Sequence, residues 1–163
     1  MTGTASESTD ENTDEKAEGT AGPAARVRAA GEAVDGADPL PSAEQVEQLL
    51  DLLCAWFRHR FRPERAVGRS GTFRHEVVTP LGVRHRYLSV VNGHCAAFVA
   101  GQESDVTVGV ELRDLVALAT GESRADEVFV AGRLKFTGDV FFAMNWFEWF
   151  GFQDRRFPDR RNG

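Results

Sequence analysis

Apolar positions divide this chain into a stretch that has almost none, a middle that alternates, and an end crowded with rings. Residues 1–40 are mostly Ala, Gly, Ser, Thr, Asp and Glu, too polar to bury enough surface to offset chain entropy, and they predict a disordered acidic tail. Pro39-Leu40-Pro41 closes that tail, Ser42 offers a helix N-cap, and Gln45 completes a capping box. Val46, Leu49, Leu50, Leu53, Trp56 and Phe57 then recur at spacings of three and four, which predicts a helix to about Arg60 with one apolar face.

Past Gly68 and Gly71 the period shortens to two. Residues 72–78, 83–91, 94–100 and 105–110 read as strands, with Pro80-Leu81-Gly82 and Asn92-Gly93 as turns. Val106, Val108 and Val110 share one face of the fourth. Residues 112–120 return to helical spacing, with Leu112, Leu115, Val116 and Ala119 inward and Gly121 at the C-terminal cap. Residues 122–126 form a polar connection or a single turn. Residues 133–136 make a fifth strand ended by Gly138, Asp139 caps a last helix over 140–150, and Gly151 stops it. This order predicts an α+β domain with a five-stranded, mainly antiparallel sheet covered on one face by helices. The expected limits are a tail at 1–40, one domain at 41–152 and a flexible C-terminal tail at 153–163.

Charge sharpens the division. Nine acids against Lys16, Arg26 and Arg28 put the whole net charge of −6 into the first 40 residues, whereas the remainder holds 16 basic and 16 acidic residues. A balanced domain carries no basic footprint for nucleic acid. The tail is either a solvating leader or an interaction segment. It shows no secretory pattern, and no apolar run reaches the roughly 20 residues that span a bilayer, so stable membrane insertion is not expected. Cys54 and Cys95 form no CxxC and sit among apolar residues, which suits small core hydrophobes in a reduced, cytoplasmic compartment. Arg58, Arg60, Arg62 and Arg65 gather at a helix end, where cations favour the dipole; a solvated end is expected there rather than an anion site.

Residues 105–150 resemble the sterol-carrier-protein-2 family, the sterol-binding or lipid-transfer domain. The matching stretches are SDVTVGVELRDLVALATGE and ADEVFVAGRLKFTGDVFFAMNW. They carry the Asp105-led strand, the Thr120-Gly121 helix end, the strand from Gly132 to Gly138-Asp139, and Ala143-Met144 in the last helix. The resemblance implies a five-stranded sheet with an apolar tunnel between sheet and C-terminal helix. It also implies a small, cytoplasmic, bacterial domain that binds, or also transfers, a fatty-acyl or sterol-like ligand. No cofactor is implied, and the family is mostly non-catalytic. The chain departs from the family pattern at Arg161-Asn162-Gly163, which is not a Ser-Lys-Leu address, and at Trp146, Phe147, Trp149 and Phe150, rings that would narrow the tunnel.

The last helix has two apolar stripes. Val140, Ala143, Met144, Phe147 and Phe150 fall on one side, and Phe142, Trp146 and Trp149 on another. The tunnel lining is assigned to Leu115, Leu118, Phe129, Phe136, Phe141, Met144 and Phe147. Phe142, Trp146 and Trp149 are assigned to a surface for a partner protein or a second copy, because both stripes cannot be buried equally in a small monomer. Plain core packing remains a third reading of these rings. Catalytic chemistry is sparse. His59, His75, His85 and His94 show no metal-ligand spacing, and no catalytic residue or metal is assigned. His75 and His85 lie on neighbouring strands and could face one another, with Glu76, Tyr87 and Cys95 as the other acid–base material, but sheet-surface histidines are the expectation. The alternatives to a binding domain are an enzyme or enzyme accessory that uses the same cavity through His75, His85 or Glu76, and a structural module that dimerises through the aromatic helix.

Overall fold

The structure is a computed structural model and describes residues 22–152. Its elements in chain order are α1 (Gly22–Asp35), α2 (Ala43–Arg60), a 3-10 turn (Pro63–Arg65), β1 (Gly71–Thr79), β2 (Gly82–Val91), β3 (His94–Phe98), β4 (Val106–Glu111), α3 (Leu112–Thr120), α4 (Ala125–Val130), β5 (Leu134–Gly138) and α5 (Val140–Trp149). α2 begins as its capping box dictates: Ser42 Oγ accepts from the Gln45 amide at 3.1 Å, and Gln45 Oε1 accepts from the Ser42 amide at 2.8 Å. Val46, Leu49, Leu50, Leu53, Trp56 and Phe57 are all buried, as the period requires.

The acidic-tail expectation fails for the segment that forms α1. Val27, Gly31 and Val34 make a narrow buried stripe, and α1 packs on α2 and α3. A Cβ at Gly31 would stand 3.1 Å from Val116 Cγ1, so small residues let the helix sit close where large ones are absent. Arg28 donates to the Thr120 carbonyl at 3.3 Å. Residues 1–21 and 153–163, on which the other tail expectations fall, lie outside the described residues.

The sheet order is β3-β2-β1-β4-β5. The hairpins β1–β2 and β2–β3 pair antiparallel, as does β4–β5 across the two intervening helices, but β4 lies parallel to β1, with Phe73 opposite Val106 and Val77 opposite Val110. The sheet is therefore mixed. After β3 the chain passes β2 and β1 and inserts β4 at the interior, where all three of its valines are buried. The helices cover one face, onto which Phe73, His75, Val77, Arg86, Leu88, Val90 and Leu134 project. Residues 125–130 form α4, where only a polar connection or single turn over 122–126 was expected; Asp126 and Glu127 sit in its first turn, where acids suit the helix dipole.

Asp105 joins β1, β5 and the start of α5. Its carboxylate accepts from the Thr72 amide at 2.8 Å, its amide donates to the Thr72 carbonyl at 2.9 Å, and its carbonyl accepts from the Asp139 amide at 3.1 Å. Gly138 has φ 112°, and a Cβ there would lie 2.8 Å from the Asp105 carbonyl oxygen. Gly138→Ala is therefore expected to lower unfolding stability by about 2 kcal/mol in a urea titration. Gly109→Ala, at a strand position with open space above it, is expected to change stability by less than about 0.5 kcal/mol.

Candidate functional site

α5 is apolar all round, so its orientation decides the site. Asp139 caps it, accepting from the Phe142 amide at 3.0 Å. Its C-terminal end is held by Arg60, which donates to the carbonyls of Phe150 and Gly151 at 2.9 Å each, and by the Arg62 amide, which donates to the Trp149 carbonyl at 2.8 Å. The Arg60 guanidinium also lies over the rings of Trp56 and Phe152. Two of the four clustered arginines thus close the last helix rather than simply facing solvent.

Between these ends, Trp146 and Trp149 face the sheet, each with 0% exposure. Trp146 Nε1 donates to His75 Nε2 at 3.0 Å. An indole N–H can only donate, so His75 Nε2 accepts and the ring is neutral. Burial holds its pKa at about 4, against an opposing contribution from a backbone hydrogen bond with Arg86. Trp149 packs edge-on against Phe73 and Phe142, while Phe142 stacks on Phe73 at 4.9 Å in the room that Gly71 leaves. The assignment of Trp146 and Trp149 to a partner surface is therefore wrong, and half-buried Phe142 packs with them. The largest side chains bring the most apolar area to the core, and one of them also satisfies a buried histidine. Phe150, placed by period with the opposite stripe, lies just past the helix and packs inward against Phe57 and Phe73.

The opposite stripe borders a cavity of about 370 Å3. Val140, Ala143, Met144 and Phe147 of α5 form one wall, Asp126, Phe129 and Val130 of α4 another, and Phe136 of β5 with Phe152 complete it. Phe129, Phe136 and Phe147 make a ring cluster with centroids 5.5–6.0 Å apart. Four of the seven residues assigned to the lining, Phe129, Phe136, Met144 and Phe147, come together here. Leu115 and Leu118 do not: they are core residues of α3, and Leu115 borders a void of about 10 Å3 between α2 and the sheet. Phe141 points outward, 87% exposed, and does not line the cavity. The space between sheet and α5 is thus filled with rings, and the apolar cavity that borders α5 lies on the helix's other side. Asp126, Val130, Val140, Ala143 and Phe152 join the lining beyond the residues expected from sequence; the α5 members share the stripe that includes Met144, whereas the short α4 carries no periodic signal that marks it as a wall.

The acid–base candidates do not converge. His75 points inward, and Glu76 and His85 lie on the uncovered face, 3.6 Å apart and joined by Arg74. None of the three lines the cavity, so an enzyme that works through them there is not supported. His75 is also a core residue rather than a sheet-surface one. Burial pushes Cys54 up to about 11 and Cys95 up to about 12, which makes both thiols poor nucleophiles. Arg86, buried on the helix side, pairs with Glu47 and Asp51, and its hydrogen bond holds Glu47 below the ordinary carboxylate range. Among the described residues no group of three or more His, Cys, Asp or Glu could hold a metal ion.

A histidine buried neutral has its folded pKa below its unfolded value, so the unfolded state binds more protons between about pH 4 and 6.5. Stability is expected to fall by on the order of 3 kcal/mol as pH drops through that window. His75→Gln, which keeps an acceptor for Trp146, is expected to flatten that dependence in denaturant titrations across the same range.

Residues 61–150 match the SCP-2 sterol transfer family. No curated protein matches the chain. Among solved structures, the palmitated SCP2L2 of Aedes aegypti superposes with a TM-score of 0.52 at 20% identity, over 59% of this chain and 88% of that one. The sec-alkylsulfatase Pisa1 of Pseudomonas sp. superposes with a TM-score of 0.51 at 22% identity, over 62% of this chain and 16% of that one. At such identities these likenesses speak for the fold. The match over more than half of the chain, on a sheet and helices arranged as described, shows that this protein belongs to the SCP-2 sterol transfer family.

Proposed function

We propose that the cavity walled by α4, β5 and α5 binds a small hydrophobic ligand, fatty-acyl or sterol-like, and that the protein carries it. The observation that carries this reading is the lining itself: eight of its nine side chains are apolar, around a volume within the usual range for ligand sites. Affinity would come from burial of ligand surface, about 25 cal/mol per Å2, with few polar contacts to fix orientation. Family membership supports the ligand class, as does the palmitate on the Aedes aegypti relative. Both cysteines are free, which favours a cytoplasmic setting, and no helix among the described residues is long and apolar enough to cross a membrane.

Nile red, an uncharged solvatochromic dye, is expected to bind the full chain with a blue-shifted emission that palmitate or cholesterol displaces. Met144→Glu, at a half-exposed position on the wall, is expected to weaken the dye about tenfold by placing a charge against it. The same change should leave Tm within about 2 °C. Absence of dye binding by the wild-type chain, together with no apolar molecule in its native mass spectrum, would overturn the reading.

A second reading rests on the exposed rim of Val130, Val140 and Phe141. A partner protein or second copy would meet α5 there. Sedimentation would then show a dimer that Phe141→Ser abolishes; a monomer at all concentrations removes the self-association version.

A further inference from the structure

The one charged side chain among the described residues of the cavity wall is Asp126. Its Oδ2 lies 3.2 Å from Arg124 Nη2, and its Oδ1 accepts from the Glu127 amide at 2.9 Å. A carboxylate offers about four acceptor sites, so both oxygens can still accept. The side chain is 49% exposed, which puts these sites at the border between the apolar wall and water, where the polar end of a bound amphiphile would come to rest.

We propose that Asp126 selects the head group: the cavity prefers a long-chain ligand headed by a hydroxyl over the same chain headed by a carboxylate. The inference rests on the apolar-ligand reading above. A hydroxyl donates to Asp126 and forms a charge-assisted hydrogen bond without disturbing the ion pair. A carboxylate meets Asp126 as a like charge. It could gain Arg124 only by taking it from Asp126, which exchanges one ion pair for another and leaves Asp126 unpaired. An ammonium head would face Arg124 in turn, so an uncharged donor fits the pair best.

The test is displacement of Nile red from the full chain by dodecanol and by dodecanoate, at matched chain length and about pH 8, where the acid is ionised. Dodecanol is expected to displace the dye at a concentration about threefold lower than dodecanoate, a difference suited to half-exposed charges. Asp126→Asn, with Asp126→Ser as a second variant should the first fail to fold, is expected to bring the two ligands level. If dodecanoate matches or exceeds dodecanol on the wild-type chain, the head-group inference is overturned and the cavity reading stands. If the preference survives both substitutions, Asp126 is not its source and the inference is overturned. If neither ligand displaces the dye, the cavity reading and the inference fall together.

Discussion

The arrangement of this molecule depends on one buried contact, the hydrogen bond from Trp146 Nε1 to His75 Nε2. Leaving either group unpartnered in the core would cost about 1–3 kcal/mol, and pairing them settles both. It also sets the rotation of α5. With Trp146 turned to the sheet, Trp149 follows three residues later on the same side, and Val140, Met144 and Phe147 turn to the other. Protonating His75 removes the acceptor, so the contact and the neutral state of the ring stand or fall together.

That rotation decides where space can open around α5. Rings of Phe57, Phe73, Trp146, Trp149 and Phe150 interlock between α2, α5 and the sheet, and the void beside Leu115 and Arg86 is no larger than a water. The volume that the family resemblance places between sheet and last helix is occupied here by side chains. The apolar pocket that borders α5 is bounded by α4, β5 and the outer stripe of the helix. Rings fill the space between sheet and helix, and a separate apolar pocket lies on the other side of α5.

The two ends of α5 are fixed by different physics. At the start, the Asp105 backbone and carboxylate hold β1, β5 and Asp139 in a junction too tight for a Cβ at Gly138. At the finish, Arg60 and the Arg62 amide satisfy carbonyls that a helix end leaves open. With both ends anchored, the exposed apolar residues on the outer stripe are held in place by contacts they do not themselves make. This is how a short helix can present Phe141 to solvent and still be ordered.

Much of this was legible in the residues alone. The α2 capping box, the Asn92-Gly93 hairpin, the Gly121 cap and the Asp139 cap depend on groups within a few positions of each other, and period and spacing report such local geometry faithfully. The strand period also puts His75 on the side of Phe73 and Val77, but that this side is the buried one for a histidine was not legible, and a sheet-surface ring was expected. The placement of β4 beside β1, the packing of α1 through two valines and a glycine, and the facing of α5 were not legible either. A helix apolar on every side carries no periodic signal for which side is buried, and the partner that decides it lies 71 positions away. Local spacing specifies α2, α3 and α5, the β1–β2–β3 meander and a ring-rich stripe. Only tertiary packing decided that the tryptophans would fill the core and Met144 and Phe147 would border the cavity, because that choice turns on volume and hydrogen bonding between distant residues.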